Sequence, residues 1–327
     1  MNSQQRARVC ASQGERARVM MDGVEWNAAV AGALIYTVES RADLPVTGDW
    51  VMVRRVDPEL VLIESVAPRR TWISRRVAGN SDVEQVLAAN VDLALLVCGL
   101  DDDFNLRRLE RYLAIVHAGG VEPVVVLNKA DLCADASAVI EEVRRTTRVQ
   151  RVLAVSARSG EGCDAVAALL TEGVTAVLLG SSGAGKSTLL NWLAGAQLRE
   201  TQPVRESDSR GRHTTTDRQL MELRSGGWLI DTPGLREIQL WADRASVAAV
   251  FDEITELSVQ CRFRDCTHAG EPGCAVRGEV DEARLDSFHK LQREAERLSG
   301  ALTEKQRWRS IHKGMRQFNK LRREERG

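Results

Sequence analysis

No stretch of the sequence approaches the roughly 18 consecutive apolar residues that read as a membrane-spanning helix. The longest mostly apolar run, Val91 to Leu100, has the length of one buried strand. Residues Met1 to Cys10 are polar and basic with no apolar core, which argues against a secretory signal. The expected compartment is therefore the cytoplasm, with no membrane partner. Internal repeats and low-complexity tracts are missing as well, so 327 residues must be divided among two or three globular domains. Charge of one sign is lacking: the formal net charge is −1, and nothing global announces a nucleic-acid partner. The imbalance is local. From Gly300 onward nine Lys and Arg face three Glu, which makes the tail basic. Of the seven cysteines, Cys10, Cys98, Cys133 and Cys163 are scattered, whereas Cys261, Cys266 and Cys274 cluster. In a cytosolic protein such a cluster points to a metal rather than to disulfides.

What is present changes rhythm along the chain. In residues 1–68, Arg16 to Met21, Ala28 to Val38, Asp49 to Val56 and Leu60 to Val66 are β-prone, with Gly23, Gly48 and Asp57-Pro58 between them. Short strands at this density suggest a small barrel of OB or SH3-like type, either a nucleic-acid platform or a packing module. Pro68 to Asn80 reads as a basic linker carrying Arg69, Arg70, Arg75 and Arg76, a solvated connector or an RNA contact. From Asn90 strands and helices alternate. Strands are expected at Val91–Cys98, Val121–Leu127, Val152–Val155 and Thr175–Leu179, and helices at Asn105–His117, Ala136–Arg145 and Ala165–Leu170. That alternation implies a mostly parallel sheet with flanking helices. Arg218–Leu223 and Gly227–Ile230 read as two further strands paired through Ser225-Gly226. After Trp241 the pattern becomes helical, at Val247–Leu257 and Ala283–Leu298, with a basic helix from Thr303.

Gly180-Ser181-Ser182-Gly183-Ala184-Gly185-Lys186-Ser187, followed by Thr188, is a phosphate-binding loop between an expected strand and an expected helix. Its glycines let backbone N–H groups point at phosphate oxygens, Lys186 adds a charge near the β- and γ-phosphates, and Ser187 offers a hydroxyl to Mg²⁺. Asn128-Lys129-Ala130-Asp131 ends another strand. The Asp131 carboxylate can accept both the N1–H and the 2-amino group of guanine. Adenine would leave it unpaired, a discrimination of about 10⁴ or more. Asn128 can bond the purine edge and brace the phosphate loop. Ser156-Ala157 follow a third strand, where backbone N–H groups can meet the guanine O6. Asp231-Thr232-Pro233-Gly234 follow a fourth. There Asp231 can hold Mg²⁺ through water, and the Gly234 N–H can sense the γ-phosphate. Between loop and strand, Thr214 and Thr215 are both candidates for the switch threonine that binds Mg²⁺.

The base-recognition elements precede the phosphate loop, and the switch elements come last. Ordinary GTPases begin with the phosphate loop, so this order is a circular permutation, which surface loops tolerate. Leu235 stands where many GTPases carry a water-orienting Gln, and leucine cannot orient water. His213, beside the threonines, is either the group that aligns water or a solvent-facing loop residue. Cys261, Cys266, His268 and Cys274 fall within fourteen residues, and three thiolates with one imidazole suit tetrahedral Zn²⁺ in a closed, structural site.

With these residues in view, the chain resembles the bacterial small-ribosomal-subunit biogenesis GTPases of the RsgA (YjeQ) family. The likeness rests on Glu84 to Asp92, Asn128 to Asp131, Gly180 to Asn191, Arg212 to Asp217, Leu229 to Trp241 and Cys261 to Val276, and on the permuted order combined with the Cys-Cys-His-Cys spacing. It implies a multidomain α/β protein: an OB-like barrel over 1–68, a permuted GTPase domain over 69–243, and a helical zinc-binding domain with a basic tail over 244–327. It also implies GTP hydrolysis stimulated by the 30S subunit, late in that subunit's maturation, with His213 catalytic. The cofactors expected are one structural Zn²⁺ per chain and Mg²⁺ with GTP. The partners expected are GTP or GDP and the 30S subunit with its rRNA, met by a monomer. Two other readings remain beside it: a non-hydrolysing nucleotide-dependent RNA-binding module, and a permuted GTPase acting on the large subunit.

Overall fold

The computed structural model describes residues 4–77, 83–101, 103–197, 218–232 and 239–300. By contacts the chain forms two compact units, one of residues 1–75 and 85–238, the other of residues 76–84 and 239–327.

The first unit begins with five strands: β1 (Gln5–Gln13), β2 (Arg16–Met21), β3 (Val24–Val30), β4 (Trp50–Arg55) and β5 (Leu60–Val66). β1 pairs with both β2 and β4, β3 runs parallel to β5, and β4 pairs with β5, which closes a barrel in the order β1-β2-β3-β5-β4. This is the five-stranded OB arrangement. Alternate residues Val9, Val19, Val51, Val53, Val61 and Ile63 fill the interior, each at most 1% exposed. Ala28–Val38 is not one strand. β3 stops at Val30, the Ala31 N–H donates to the Ile63 carbonyl at 2.9 Å, and helix α1 follows over Gly32–Thr37. The β3–β5 pairing ends at Val30↔Ile63, and the strand preference of Ile35, Tyr36, Thr37 and Val38 is overridden by context. β1 itself carried no clear sequence signal, because three of its first four residues are Gln or Arg.

The stretch after the barrel is also more ordered than a linker. β6 (Trp72–Arg76) and β7 (Glu84–Ala89) form a two-stranded ribbon. The nucleotide-binding sheet follows: β8 (Leu93–Gly99), β9 (Glu122–Asn128), β10 (Val152–Ala154), β11 (Thr175–Leu179), β12 (Gln219–Glu222) and β13 (Trp228–Asp231). Its spatial order is β10-β9-β8-β11-β13-β12, parallel throughout except for the β12–β13 hairpin. β8, β9 and β11 are near-continuous apolar runs because helices cover both faces of a parallel sheet. The hairpin turns at Gly226, whose φ of 81° suits glycine. β1 joins this sheet at Ala11↔Gln219, so barrel and sheet share one continuous set of strands.

The crossover helices differ at their starts. Asn105 caps α2 (Leu106–Ala118) by accepting from the Arg108 N–H, and Asp135 caps α3 (Ala136–Thr147) by accepting from the Ala138 N–H. α4 is a short helix at Cys163–Ala167 rather than at Ala165–Leu170. α5 (Lys186–Ala194) has no capping side chain and no acid in its first turn, and begins from Gly185 in the left-handed region. Its first N–H groups are therefore left for another anion.

In the second unit α6 (Arg244–Val250) and α7 (Asp252–Ser258) are separate helices, not one. The chain turns at Phe251, which is fully buried and meets the Phe288 ring edge-on at 5.4 Å. Arg284, on the helix over 282–300, lies 4.5 Å from the Phe251 ring, pairs with Glu253 and donates to the Val250 carbonyl at 2.9 Å. Among the described residues of this unit after Trp241 no strand appears, only a bridge between Arg277 and Val280.

Candidate nucleotide site and metal centre

The nucleotide residues gather at the carboxyl ends of β9, β10, β11 and β13. β11 ends in the phosphate loop, where Gly180, Gly183 and Gly185 have φ of 150°, 82° and 89°. Two of these glycines are also sterically required. A Cβ on Gly180 would lie 2.2 Å from the Val97 carbonyl oxygen, and one on Gly185 would lie 2.1 Å from the Asn128 Nδ2. Ser182, Gly183 and Ser187 face solvent, while Ala184 is buried under the loop.

Asn128, 3% exposed at the end of β9, joins three loops. Its Nδ2 donates to the Ala184 carbonyl at 2.9 Å, and its Oδ1 accepts from the Ala157 N–H at 2.9 Å. The Ala130 N–H donates to the Val155 carbonyl at 3.0 Å, so the turn at 128–131 is also stitched to the Ser156-Ala157 loop. Ser156 is buried and bridges Glu161. Lys129 sits at φ 62°, and the turn it makes leaves Asp131 exposed, free to accept from a base.

The Lys186 ammonium is held over the loop by the Gly180 and Ser181 carbonyls, at 2.8 and 2.5 Å. Burial lowers its pKa to about 8, with Asp231 acting in the opposite sense. A desolvated cation of this kind gains most when an anion arrives. Asp231 ends β13 and is 8% exposed; the Thr232 hydroxyl donates to the Leu178 carbonyl at 2.7 Å, tying β13 to β11 beside the loop. His213, Thr214, Thr215, Gly234 and Leu235 lie outside the described residues.

Two carboxylates beside the site belong to no sequence motif. Asp101 pairs with the Lys129 ammonium, and the Asp103 Oδ2 accepts from the Ser181 hydroxyl at 2.8 Å. Burial raises the Asp103 pKa, but the hydrogen bonds from Arg108 and Ser181 outweigh it and hold the carboxyl below its usual range. Their signal in the sequence was only a run of acids directly after an apolar strand.

The second cluster is metal-like. One ligand atom from each of Cys261, Cys266, His268 and Cys274 lies within 4.8 Å of all the others. The His268 Nδ1 is 3.7 Å from the Cys261 Sγ and 3.5 Å from the Cys274 Sγ. A tetrahedron with Zn–S bonds of ~2.3 Å and Zn–N bonds of ~2.0 Å has edges of about 3.5–3.8 Å. The Ala275 N–H donates to the Cys261 Sγ and the Arg277 N–H to the Cys274 Sγ, both at 3.4 Å, as thiolates holding a cation require. His268 at φ 63° turns the chain so that its ring enters the cluster. The Cys₃His set fits a structural zinc site. All four ligands come from the protein, which leaves no open position for catalysis.

The strand that leads into the phosphate loop, β11, comes after β9 and its Asn128-Lys129-Ala130-Asp131 turn in the chain, yet lies next but one to it in the sheet, so the nucleotide motifs stand in permuted order. Comparison with known proteins agrees. The model of a family described as RsgA GTPase matches residues 66–241. A relative from Opitutus terrae, named "Small ribosomal subunit biogenesis GTPase RsgA", is 49% identical over 89% of this chain and 85% of its own length. The chain belongs to the RsgA GTPase family. A relative of the same name from Methanosarcina acetivorans is 39% identical over 93% of this chain and 84% of its own. In fold the chain is similar to YjeQ from Thermotoga maritima, with a TM-score of 0.65 over 90% of this chain and 99% of that one at 24% identity. It is similar also to YloQ, described as a circularly permuted GTPase, with a TM-score of 0.61 over 90% and 96% at 22% identity. A model described as ABC transporter matches residues 163–323. That range includes the phosphate loop but excludes Asn128 to Asp131.

Proposed function

We propose that this RsgA-family GTPase acts in the cytoplasm on the small ribosomal subunit, as the names of its relatives state for them, and hydrolyses GTP to GDP and phosphate as it does so. Asn128 carries the reading. One buried amide braces the phosphate loop and the Ser156-Ala157 loop at once, an arrangement that serves a guanine nucleotide spanning both.

In this reading Asp131 accepts from the guanine N1–H and 2-amino groups, and Lys129, Ala130, Ser156 and Ala157 shape the base pocket. Gly180 to Gly185 and the uncapped start of α5 present N–H groups to the phosphates, with Lys186 supplying charge and Ser187 and Thr188 completing the first turn. Mg²⁺ would be held by Ser187 and Asp231, with Thr214 or Thr215, and supplies charge neutralisation at the phosphates. His213 aligns the attacking water and the Gly234 N–H senses the γ-phosphate. One Zn²⁺ per chain holds the 261–274 knuckle. The barrel over 1–68, the GTPase domain over 69–243 and the zinc domain over 244–327 act as three functional parts of a monomer that meets rRNA.

The test is co-sedimentation with separated small and large subunits in GDP, GTP and a non-hydrolysable GTP analogue, alongside single-turnover hydrolysis with each subunit. Nucleotide-dependent binding and faster hydrolysis with the small subunit alone support the reading. A response to the large subunit alone, or to neither, would overturn it.

A further inference from the structure

Beyond the motif residues, the loop that leaves β8 touches the nucleotide site twice. The Asp101 carboxylate pairs with the Lys129 ammonium, in the turn that presents Asp131. Two residues on, the Asp103 Oδ2 accepts from the Ser181 hydroxyl in the phosphate loop at 2.8 Å. The loop itself is fixed from behind. The Leu100 N–H donates to the Asn128 carbonyl at 2.7 Å, the Phe104 N–H donates to the Asp101 carbonyl at 3.0 Å, and Arg108 on α2 holds the Asp103 carboxylate at 2.9 Å. The backbone makes room for the first contact: a Cβ at Gly99 would lie 2.7 Å from the Asp101 Oδ1.

We propose that Asp101 and Asp103 are positioning residues for the nucleotide, forming a strut that ties the base-recognition turn to the phosphate loop. This rests on the guanine site proposed above. Asn128 already links the turn to the phosphate loop from beneath, through Ala184, and to the Ser156-Ala157 loop through Ala157. The acidic strut links them from the side, through the neighbouring Lys129 and through Ser181. The first link matters because Lys129 occupies a left-handed backbone conformation, φ 62°, that a lysine adopts at a cost. With its ammonium pinned by Asp101, the turn keeps the rotation that aims the Asp131 side chain outward. The second link restrains the phosphate loop at Ser181, whose carbonyl also holds Lys186 at 2.5 Å. The strut therefore bears on the base and the phosphates without touching either.

The lysine–aspartate pair is partly exposed, 21% at Lys129 and 28% at Asp101, so its effect is modest. D101N and D103N should each speed GDP dissociation and raise the Kd for GDP and for GTP by about 1.5- to fivefold, with KM for GTP moving more than kcat. Double-mutant cycles separate this from general destabilisation. If Asp101 acts through Lys129, D101N costs nothing further in a K129M background. If Asp103 acts through Ser181, D103N costs nothing further in an S181A background. The same fold-loss in wild-type and K129M backgrounds, or wild-type affinity in D101N, would overturn the proposal. D131N measured in parallel keeps the two readings apart. A shift of D131N toward xanthosine nucleotides with unaltered D101N affinity would sink the strut alone, whereas no shift in D131N would remove the base assignment beneath it.

Discussion

Around the phosphate loop, Leu178, Leu179, Leu189 and Leu190 are all fully buried, and β8, β9, β11 and α5 would be placed by that burial whether or not a nucleotide is bound. Between Cys261 and Cys274 the only buried residue is His268, one of the four candidate ligands, and the one aromatic residue, Phe263, is 41% exposed. The two sites are thus built by opposite means. Strand ends on an apolar sheet carry the nucleotide residues into place, and the glycines, Asn128 and the uncapped helix start refine the fit. In the knuckle no apolar side chain is buried to offset the chain entropy, and the Cys₃His set, which fits a structural zinc site, is what remains to organise the backbone.

The largest expected effect follows from that contrast. Metal binding contributes on the order of 10 kcal/mol to small sites of this type. Chelation or C261S should therefore release the metal and unfold residues 261–274 locally, seen as loss of backbone amide protection there by hydrogen exchange. Protection in β8, β9 and β11, and the Kd for GDP, should stay at wild-type values. A knuckle that stays protected without metal would break the contrast, because burial would then suffice. N128A is the next largest. It leaves the Ala184 carbonyl and the Ala157 N–H without their partner, a cost of about 2–4 kcal/mol to the stability of the first unit in denaturant unfolding. GDP affinity should fall as well, because the two loops lose the brace that holds them in register. The smallest effect concerns charge. With its pKa lowered to about 8 by burial, Lys186 loses its proton as pH rises through that value in the free protein, whereas bound phosphate favours the protonated form. GDP affinity should be flat below about pH 8 and fall above it, by up to about tenfold per pH unit, with uptake of one proton detected by calorimetry in buffers of different ionisation enthalpy. Affinity that is flat, or that rises, across this range would contradict the buried-cation description.

The same contrast explains what was legible in the sequence. Parallel strands read clearly because burial on both faces writes them as unbroken apolar runs, and the phosphate and base motifs were fixed to their ends. The zinc ligands were legible for another reason, since Cys and His at close spacing have few other uses in such a segment. Side-chain ties between loops were not. Nothing in the spacing of Asp101 and Lys129, or of Asp103 and Ser181, marks them as partners, because the sheet order brings β8 between β9 and β11 only in space. The errors arose where local preference and context disagreed. Ile35 to Val38 favour a strand but the chain turns into α1 where the β3–β5 pairing ends, and Phe251 breaks a helical pattern where the chain turns about its buried ring.

The turn at 128–131, placed ahead of the phosphate loop in the chain, carries the proposed recognition of guanine. Binding of GDP and of xanthosine diphosphate to the wild-type protein and to D131N tests it most directly. The wild type should prefer GDP by about 10³-fold or more, and D131N should lose most of that affinity while gaining affinity for xanthosine diphosphate, because the amide can donate to the xanthine O2 that a carboxylate repels. Unaltered GDP binding by D131N, with no gain for xanthosine diphosphate, would contradict it.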